Sequence, residues 1–239
     1  MIDLTGLKFN NKHYLILFLI IQLSAAILLQ FPVIPPYISF IFILANFIFA
    51  LLVFVPSKND ILVIVALFFT ILSDLFLILI PTQFEIGLVF FNVVQICYAI
   101  RVSRIYQSKI RLIFSIVARF FFSITISIIA IVLLPSELHL VVILTAVYFS
   151  SLLINCVSSF TNFPRARMFA FGFLLFICCD FFVGISFALI NTDLDLNMFS
   201  FVNSTRINYA WIFYPFSQIL LAATVIYKPS IKSGPGKLC

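Results

Sequence analysis

Long apolar runs alternate along this chain with short stretches that carry most of its charges and prolines. The runs cover residues 13–31, 37–55, 60–80, 84–100, 111–134, 138–157, 168–190 and 208–227. Each is continuous, without the every-second-residue alternation of a membrane barrel, so each is predicted to be a helix. A helix crossing the hydrocarbon of a bilayer needs about 20 apolar residues, and the runs are close to that length. Pro32, Pro35, Pro36, Pro56, Pro81, Pro135, Pro164 and Pro229 fall at or near the breaks between runs. A missing N–H costs least there. Pro215 lies inside the eighth run and predicts a kink.

Composition turns this pattern into a membrane assignment. Of the 239 residues, 64% are hydrophobic and only 9% are charged, against about 25% charged in soluble domains. A soluble fold of this size has too little interior for that apolar surface. The expectation is therefore a single all-α integral membrane domain over 1–239, multi-pass and in the cell (inner) membrane. The net charge of +6 does not suggest nucleic acid, because the basic residues lie between apolar runs. Cys97, Cys156, Cys178 and Cys179 lie inside runs and Cys239 in the tail, with no C-x-x-C spacing, so free thiols are expected. With only His13 and His139 present, no metal site is expected, and no cofactor.

The basic residues predict sidedness. Lys8 and Lys12 precede the first run, and Lys58 lies between the second and third. Arg101, Arg104, Lys109 and Arg111 lie between the fourth and fifth, and Arg165 and Arg167 between the sixth and seventh. Lys228, Lys232 and Lys237 follow the eighth. Twelve of the 14 Lys and Arg residues thus fall on one side of an eight-helix chain. Arg206, Glu85, Glu137, Asp193 and Asp195 fall on the other. The positive-inside rule then puts both termini in the cytoplasm. Lys8 and Lys12 before an apolar run also resemble a signal peptide. The run is about 19 residues, longer than a usual signal core, and the first helix is expected to remain.

The third and seventh runs each hold one aspartate, in Ile71-Leu72-Ser73-Asp74-Leu75-Phe76 and Ile177-Cys178-Cys179-Asp180-Phe181-Phe182. Counted from residues 60 and 168, the two lie roughly 21 and 18 Å along their helices. The following helices also match. Phe90-Phe91-Asn92-Val93-Val94-Gln95-Ile96 and Phe213-Tyr214-Pro215-Phe216-Ser217-Gln218-Ile219 each present two aromatics, a Gln and then Ile. The chain therefore reads as two four-helix repeats, about 13–100 and 111–227, with a polar tail over 228–239. An even number of helices per repeat makes the two parallel, about an axis along the membrane normal. Such an axis brings Asp74 and Asp180 together across a central cavity.

An ionisable group in a membrane core is costly and rarely faces lipid, so the two aspartates are the candidate catalytic residues. Asn92, Gln95, Tyr98, Tyr214 and Gln218 are the candidate substrate-binding groups, with Asn46, Asn155, Gln22 and Tyr148 as further polar groups for the same cavity. Hydrogen bonds between helices use the same residue types. Arg119 lies eight residues past Arg111, about 12 Å into the membrane. Two readings are open: snorkelling to the headgroups, or an anion contact inside the bundle, to a lipid phosphate or a carboxylate, which makes Arg119 a further candidate substrate-binding residue. The Asp193-Leu194-Asp195 pair reads as surface charge.

The segment Leu72-Ser73-Asp74, a Pro-containing turn, Gly87, Phe90-Phe91 and Tyr98 resembles the YhhN-type lysoplasmalogenase family, as do Cys179-Asp180 and the stretch from Tyr214 to Gln218. The resemblance implies an eight-helix membrane enzyme that hydrolyses the vinyl ether of a lysoplasmalogen, a lysophospholipid, to a fatty aldehyde and a glycerophospho-alcohol. Two positions depart from the family's pattern. Ser73 stands where the family has Gly before the first Asp. Gln95 stands where it usually has His, and a Gln side chain cannot transfer a proton near neutral pH.

The two aspartates suit that chemistry. Protonating the β-carbon of a vinyl ether generates an oxocarbenium ion, which water captures. The site needs one protonated acid and one nearby anion or base. Two carboxyls close together in a low dielectric cannot both ionise cheaply, so one keeps its proton, and they titrate jointly. Membrane lipids are the expected surroundings, and the substrate enters from them. Two other classes stay open: a small-solute or proton-coupled transporter, for which intramembrane carboxylates and repeats are also signs, and a non-catalytic lipid-binding relative, which Gln95 keeps in view.

Overall fold

The computed structural model describes residues 11–28, 35–57, 61–105, 109–133, 138–191 and 209–224. Among the described residues there are eight α-helices and no strand. They are α1 (Asn11–Leu28), α2 (Pro36–Ser57), α3 (Ile61–Asp74), α4 (Phe84–Ile105), α5 (Lys109–Leu133), α6 (His139–Thr161), α7 (Phe163–Asn191) and α8 (Tyr209–Ala223). Five stretches are long and apolar enough to cross a membrane: Ile61–Leu79, Phe84–Arg104, Ile110–Val132, His139–Thr161 and Ala166–Leu189. At 19–24 residues each they span about 29–36 Å. The chain is an all-α, multi-pass membrane protein. The acidic loop with Asp193, Asp195 and Arg206, the basic N-terminal segment and the tail with Cys239 lie outside the described residues.

The distribution of polarity is the inverse of a soluble fold. Gln22, Asn46, Thr70, Ser73, Asp74, Gln95, Asn155, Ser217 and Gln218 are buried, while Ile, Leu, Val and Phe cover the outside. Lipid already solvates apolar side chains, so the interior is free to gather the groups that lipid cannot satisfy. The extreme case is α5. Its apolar stretch Ile110–Val132 is almost entirely unburied, and Phe114, Phe120, Phe121 and Val132 stand outward.

Helices α3 and α4 pack closely, as do α7 and α8. Gly87 sets the first approach: a Cβ there would meet Leu77 Cγ at 2.7 Å, and the Ser73 hydroxyl donates to the Gly87 carbonyl at 2.6 Å. Gly172 serves the second, where a Cβ would meet Leu221 at 3.0 Å. Other pairs also correspond when α1–α4 are exchanged for α5–α8 in order. Thus α4 on α6 matches α8 on α2, α2 on α3 matches α6 on α7, and α3 on α8 matches α7 on α4. The contact of α1 with α8 has no counterpart of similar extent between α5 and α4.

Four helices depart locally from the predicted runs. Immediately after Asp74 the third helix widens into a π-turn over Leu75–Leu79, closed by Ile80 N–H donating to the Leu75 carbonyl at 3.0 Å. Helices α6 and α7 run through most of the predicted loop 158–167 and leave only Asn162 between them. Pro164 is tolerated because it lies in the first turn of α7, where backbone N–H groups have no helical partner; the helix bends at Ala166. Helix α4 continues to Ile105, so Arg101 is helical and buried instead of lying in a basic loop. Its guanidinium donates to the hydroxyl and the carbonyl of Thr224 just past α8, and lies 4.8 Å from the Phe169 ring centroid. A cation at that helix end complements the dipole. Helix α8 holds Pro215 in its interior, as the eighth run predicts.

Candidate active site

Asp74 is the last α-helical residue of α3 before the π-turn and is 4% exposed. One carboxylate oxygen accepts a hydrogen bond from the Tyr214 hydroxyl of α8, 140 residues away in sequence. Asp180 lies in α7 and is half-buried. One of its oxygens accepts from the Tyr148 hydroxyl of α6. The two carboxyls are within electrostatic range of each other, and Tyr148 and Cys179 are in range of both. Four helices thus deliver two carboxyls and two phenols to one place inside the bundle.

Rings hold the phenols. Phe176, one turn before Asp180, lies edge-on to both tyrosines, with centroids 6.3 Å from Tyr148 and 5.7 Å from Tyr214. Phe91 of α4 touches Tyr148 at 5.4 Å and Phe176 at 5.7 Å. Trp211 lies 5.6 Å from Tyr214. Such contacts fix ring orientation and exclude water, which strengthens the hydrogen bonds beneath them. The π-turn after Asp74 adds to this picture, because single π-turns inside helices occur frequently at functional sites.

The other predicted site residues divide. Tyr214 joins the carboxyls directly. Gln95 is fully buried, but it meets Asn155, whose side-chain amide donates to the Gln95 side-chain oxygen and to its backbone carbonyl, each at 3.1 Å. Asn155 in turn accepts from Arg119 at 2.6 Å, and Arg119 also donates to the Ser115 hydroxyl at 2.6 Å. This chain ties α4, α5 and α6 together. Since Ser73 bonds Gly87, and Gln95 lies eight residues along α4 from Gly87, the Gln95 backbone is about 12 Å along the helix from the level of Ser73. Asn92 links α4 to α6 by donating to the carbonyls of Leu88 at 2.9 Å and Leu144 at 3.2 Å. Tyr98 packs edge-on against Phe169 and Phe173, and its hydroxyl makes no hydrogen bond among the described residues. Gln218 is buried one turn beyond Tyr214, and neither polar atom of its side chain is bonded among the described residues. Arg119 therefore reaches inward to neutral groups.

Tyr148 was legible only as one polar residue among several in an apolar run. What marks it out is its partner, and no local pattern in α6 points to α7. Among the described residues no three His, Cys, Asp or Glu side chains gather as a metal set.

The model of the YhhN family matches residues 32–225. The matched region contains both aspartates, both tyrosines and the π-turn. No curated protein and no solved structure matches the chain.

Proposed function

The chain belongs to the YhhN family, and from that premise we propose that it is a lysoplasmalogenase-type ether hydrolase. The observation that carries the reading is the pair Asp74 and Asp180, each tied to a tyrosine hydroxyl and each in electrostatic range of the other. The substrate is a lysophospholipid with a vinyl ether, R–CH=CH–O–R′. One carboxyl gives its proton to the β-carbon, and the ether oxygen shares the resulting positive charge as an oxocarbenium ion. The other carboxylate stabilises that cation and takes a proton from the water that attacks it. The product of attack is a hemiacetal. Its hydroxyl proton leaves as the C–O bond to R′ breaks and the departing oxygen is protonated, so the net products are R–CH2–CHO and HO–R′. Proton transfer between the neighbouring carboxyls restores the starting state.

The membrane setting follows from the same reading. All eight helices cross, the two halves are parallel repeats, and both termini lie in the cytoplasm of a cell whose inner membrane holds the protein. The correspondence of helix contacts between α1–α4 and α5–α8 supports the repeat. The amphiphile enters sideways from the bilayer. A membrane-impermeant thiol reagent should leave Cys239 unlabelled in intact cells; labelling without permeabilisation rules this orientation out.

The test of activity is release of fatty aldehyde from a lysoplasmalogen by the purified protein in detergent. The π-turn beside Asp74 is the observation that favours a second reading, a proton-coupled transporter, because transporters also break helices near intramembrane carboxyls. Absence of aldehyde together with pH-driven uptake into proteoliposomes would select it. Absence of both would leave a non-catalytic lipid-binding relative.

A further inference from the structure

Each carboxyl in the site is served by one phenol from another helix: Asp74 of α3 by Tyr214 of α8, and Asp180 of α7 by Tyr148 of α6. An ionised carboxylate has two oxygens and about four acceptor directions. One hydroxyl occupies one oxygen and stops the group from rotating, which leaves the second oxygen for a reacting atom. The phenols themselves are held by Phe91, Phe176 and Trp211, so their hydroxyls are fixed in turn.

The halves are not wired alike. Aligning Gln95 with Gln218 sets Phe91 opposite Tyr214. The symmetric source of a hydroxyl for Asp180 is therefore position 91, which carries no hydroxyl. Tyr148 supplies it from α6, with its ring centroid 5.4 Å from that of Phe91.

We propose that Tyr148 and Tyr214 are the positioning residues of the carboxyl pair, their hydroxyls aiming Asp180 and Asp74 at the substrate, and that position 91 is a second place from which Asp180 can be served. The proposal rests on the hydrolase reading. Proton delivery to carbon needs a carboxyl held in line, and a displacement of about 1 Å from productive geometry can cost about 100-fold.

The test uses the full-length protein in detergent, with aldehyde release from a lysoplasmalogen measured per folded molecule. Tyr148→Phe and Tyr214→Phe should each lower kcat by roughly 10- to 100-fold and leave KM within about twofold, since the ring and the cavity shape remain. Phe91→Tyr in the Tyr148→Phe background should recover most of the lost kcat, which a purely structural loss would not allow. Wild-type kcat in both single variants overturns the proposal. A second readout is independent of the reaction. The carboxyl stretching bands of aspartate, identified by their loss in Asp180→Asn and Asp74→Asn, should shift in Tyr148→Phe and Tyr214→Phe respectively. Unshifted bands overturn the proposal. A wild-type protein that releases no aldehyde but shows the shifts instead refutes the hydrolase reading and leaves the tyrosine–carboxyl pairing standing.

Discussion

Asp74 in α3 and Asp180 in α7 are the two aspartates that the proposed repeat relates, yet their surroundings differ. Asp74 is almost fully buried, ends its α-helix at a π-turn, and takes its hydroxyl from the last helix of the other half. Asp180 is half-buried, lies within an α-helix that runs 11 residues further to Asn191, and takes its hydroxyl from its own half. On the proposed repeat, each half supplies one carboxyl, but the two surroundings are not equivalent. A reaction that needs one acid and one base benefits from that inequality, because different environments separate the roles of chemically identical groups.

The most direct way to break the comparison is to remove each carboxylate. Asp74→Asn and Asp180→Asn should each lower aldehyde release by at least about 100-fold, the scale of losing a positioned acid or base. Asn keeps the shape and can still accept from the tyrosine, so thermal stability should change little. The double variant should be little worse than the worse single, because groups acting as one unit are non-additive. If the pair only holds helices together, the result inverts: stability falls and turnover per folded molecule is retained.

The two glutamines sharpen the comparison at a smaller scale. Gln95 and Gln218 match in sequence, but only Gln95 is bonded among the described residues, through Asn155 to Arg119. Gln95→Leu leaves the Asn155 amide short of a buried partner and should cost about 1–3 kcal/mol. Gln218→Leu strands no such group and should be close to neutral. Thermal or denaturant unfolding in detergent checks the pair. Equal losses would show that the network around Arg119 contributes nothing specific.

The glycines give the smallest expected effect. Gly87→Ala must displace Leu77, while the helix gains from the propensity of Ala, so a net loss of about 1 kcal/mol is expected. Gly172→Ala meets the branched side chain of Leu221 at 3.0 Å and Leu220 Cβ at 3.4 Å, looser than the 2.7 Å at Gly87, and should change stability less. If Gly87→Ala proves the milder of the two, the close approach of α3 and α4 near Asp74 is not a constraint on the site.

Much of this was readable along the chain. Continuous apolar runs with prolines between them identify the helices, because each run must satisfy its own backbone in lipid. A lone Asp in such a run identifies a candidate site, because the cost of a charge in hydrocarbon is a property of the residue and its depth. The family resemblance needed only the residues near Asp74 and Asp180, and the family match agrees with it.

Other features depended on how helices rotate and slide against one another. Whether Tyr148 or Phe91 faces Asp180, and whether Gln95 meets a carboxylate or Asn155, is decided by contacts between residues 32 to 140 positions apart. An apolar run looks much the same at every rotation about its axis, and the hydrophobic pattern that sets a strand's register or a soluble helix's inward face is weak when the surroundings are lipid. The sequence by itself therefore determined the helical membrane architecture and the two aspartates. The tertiary structure decided which hydroxyl serves which carboxyl, that Arg101 is buried against Thr224, and that Arg119 bonds inward to Asn155. Polar side chains in a bundle take the partners that helix packing brings within about 3 Å, and that packing is a property of the whole fold.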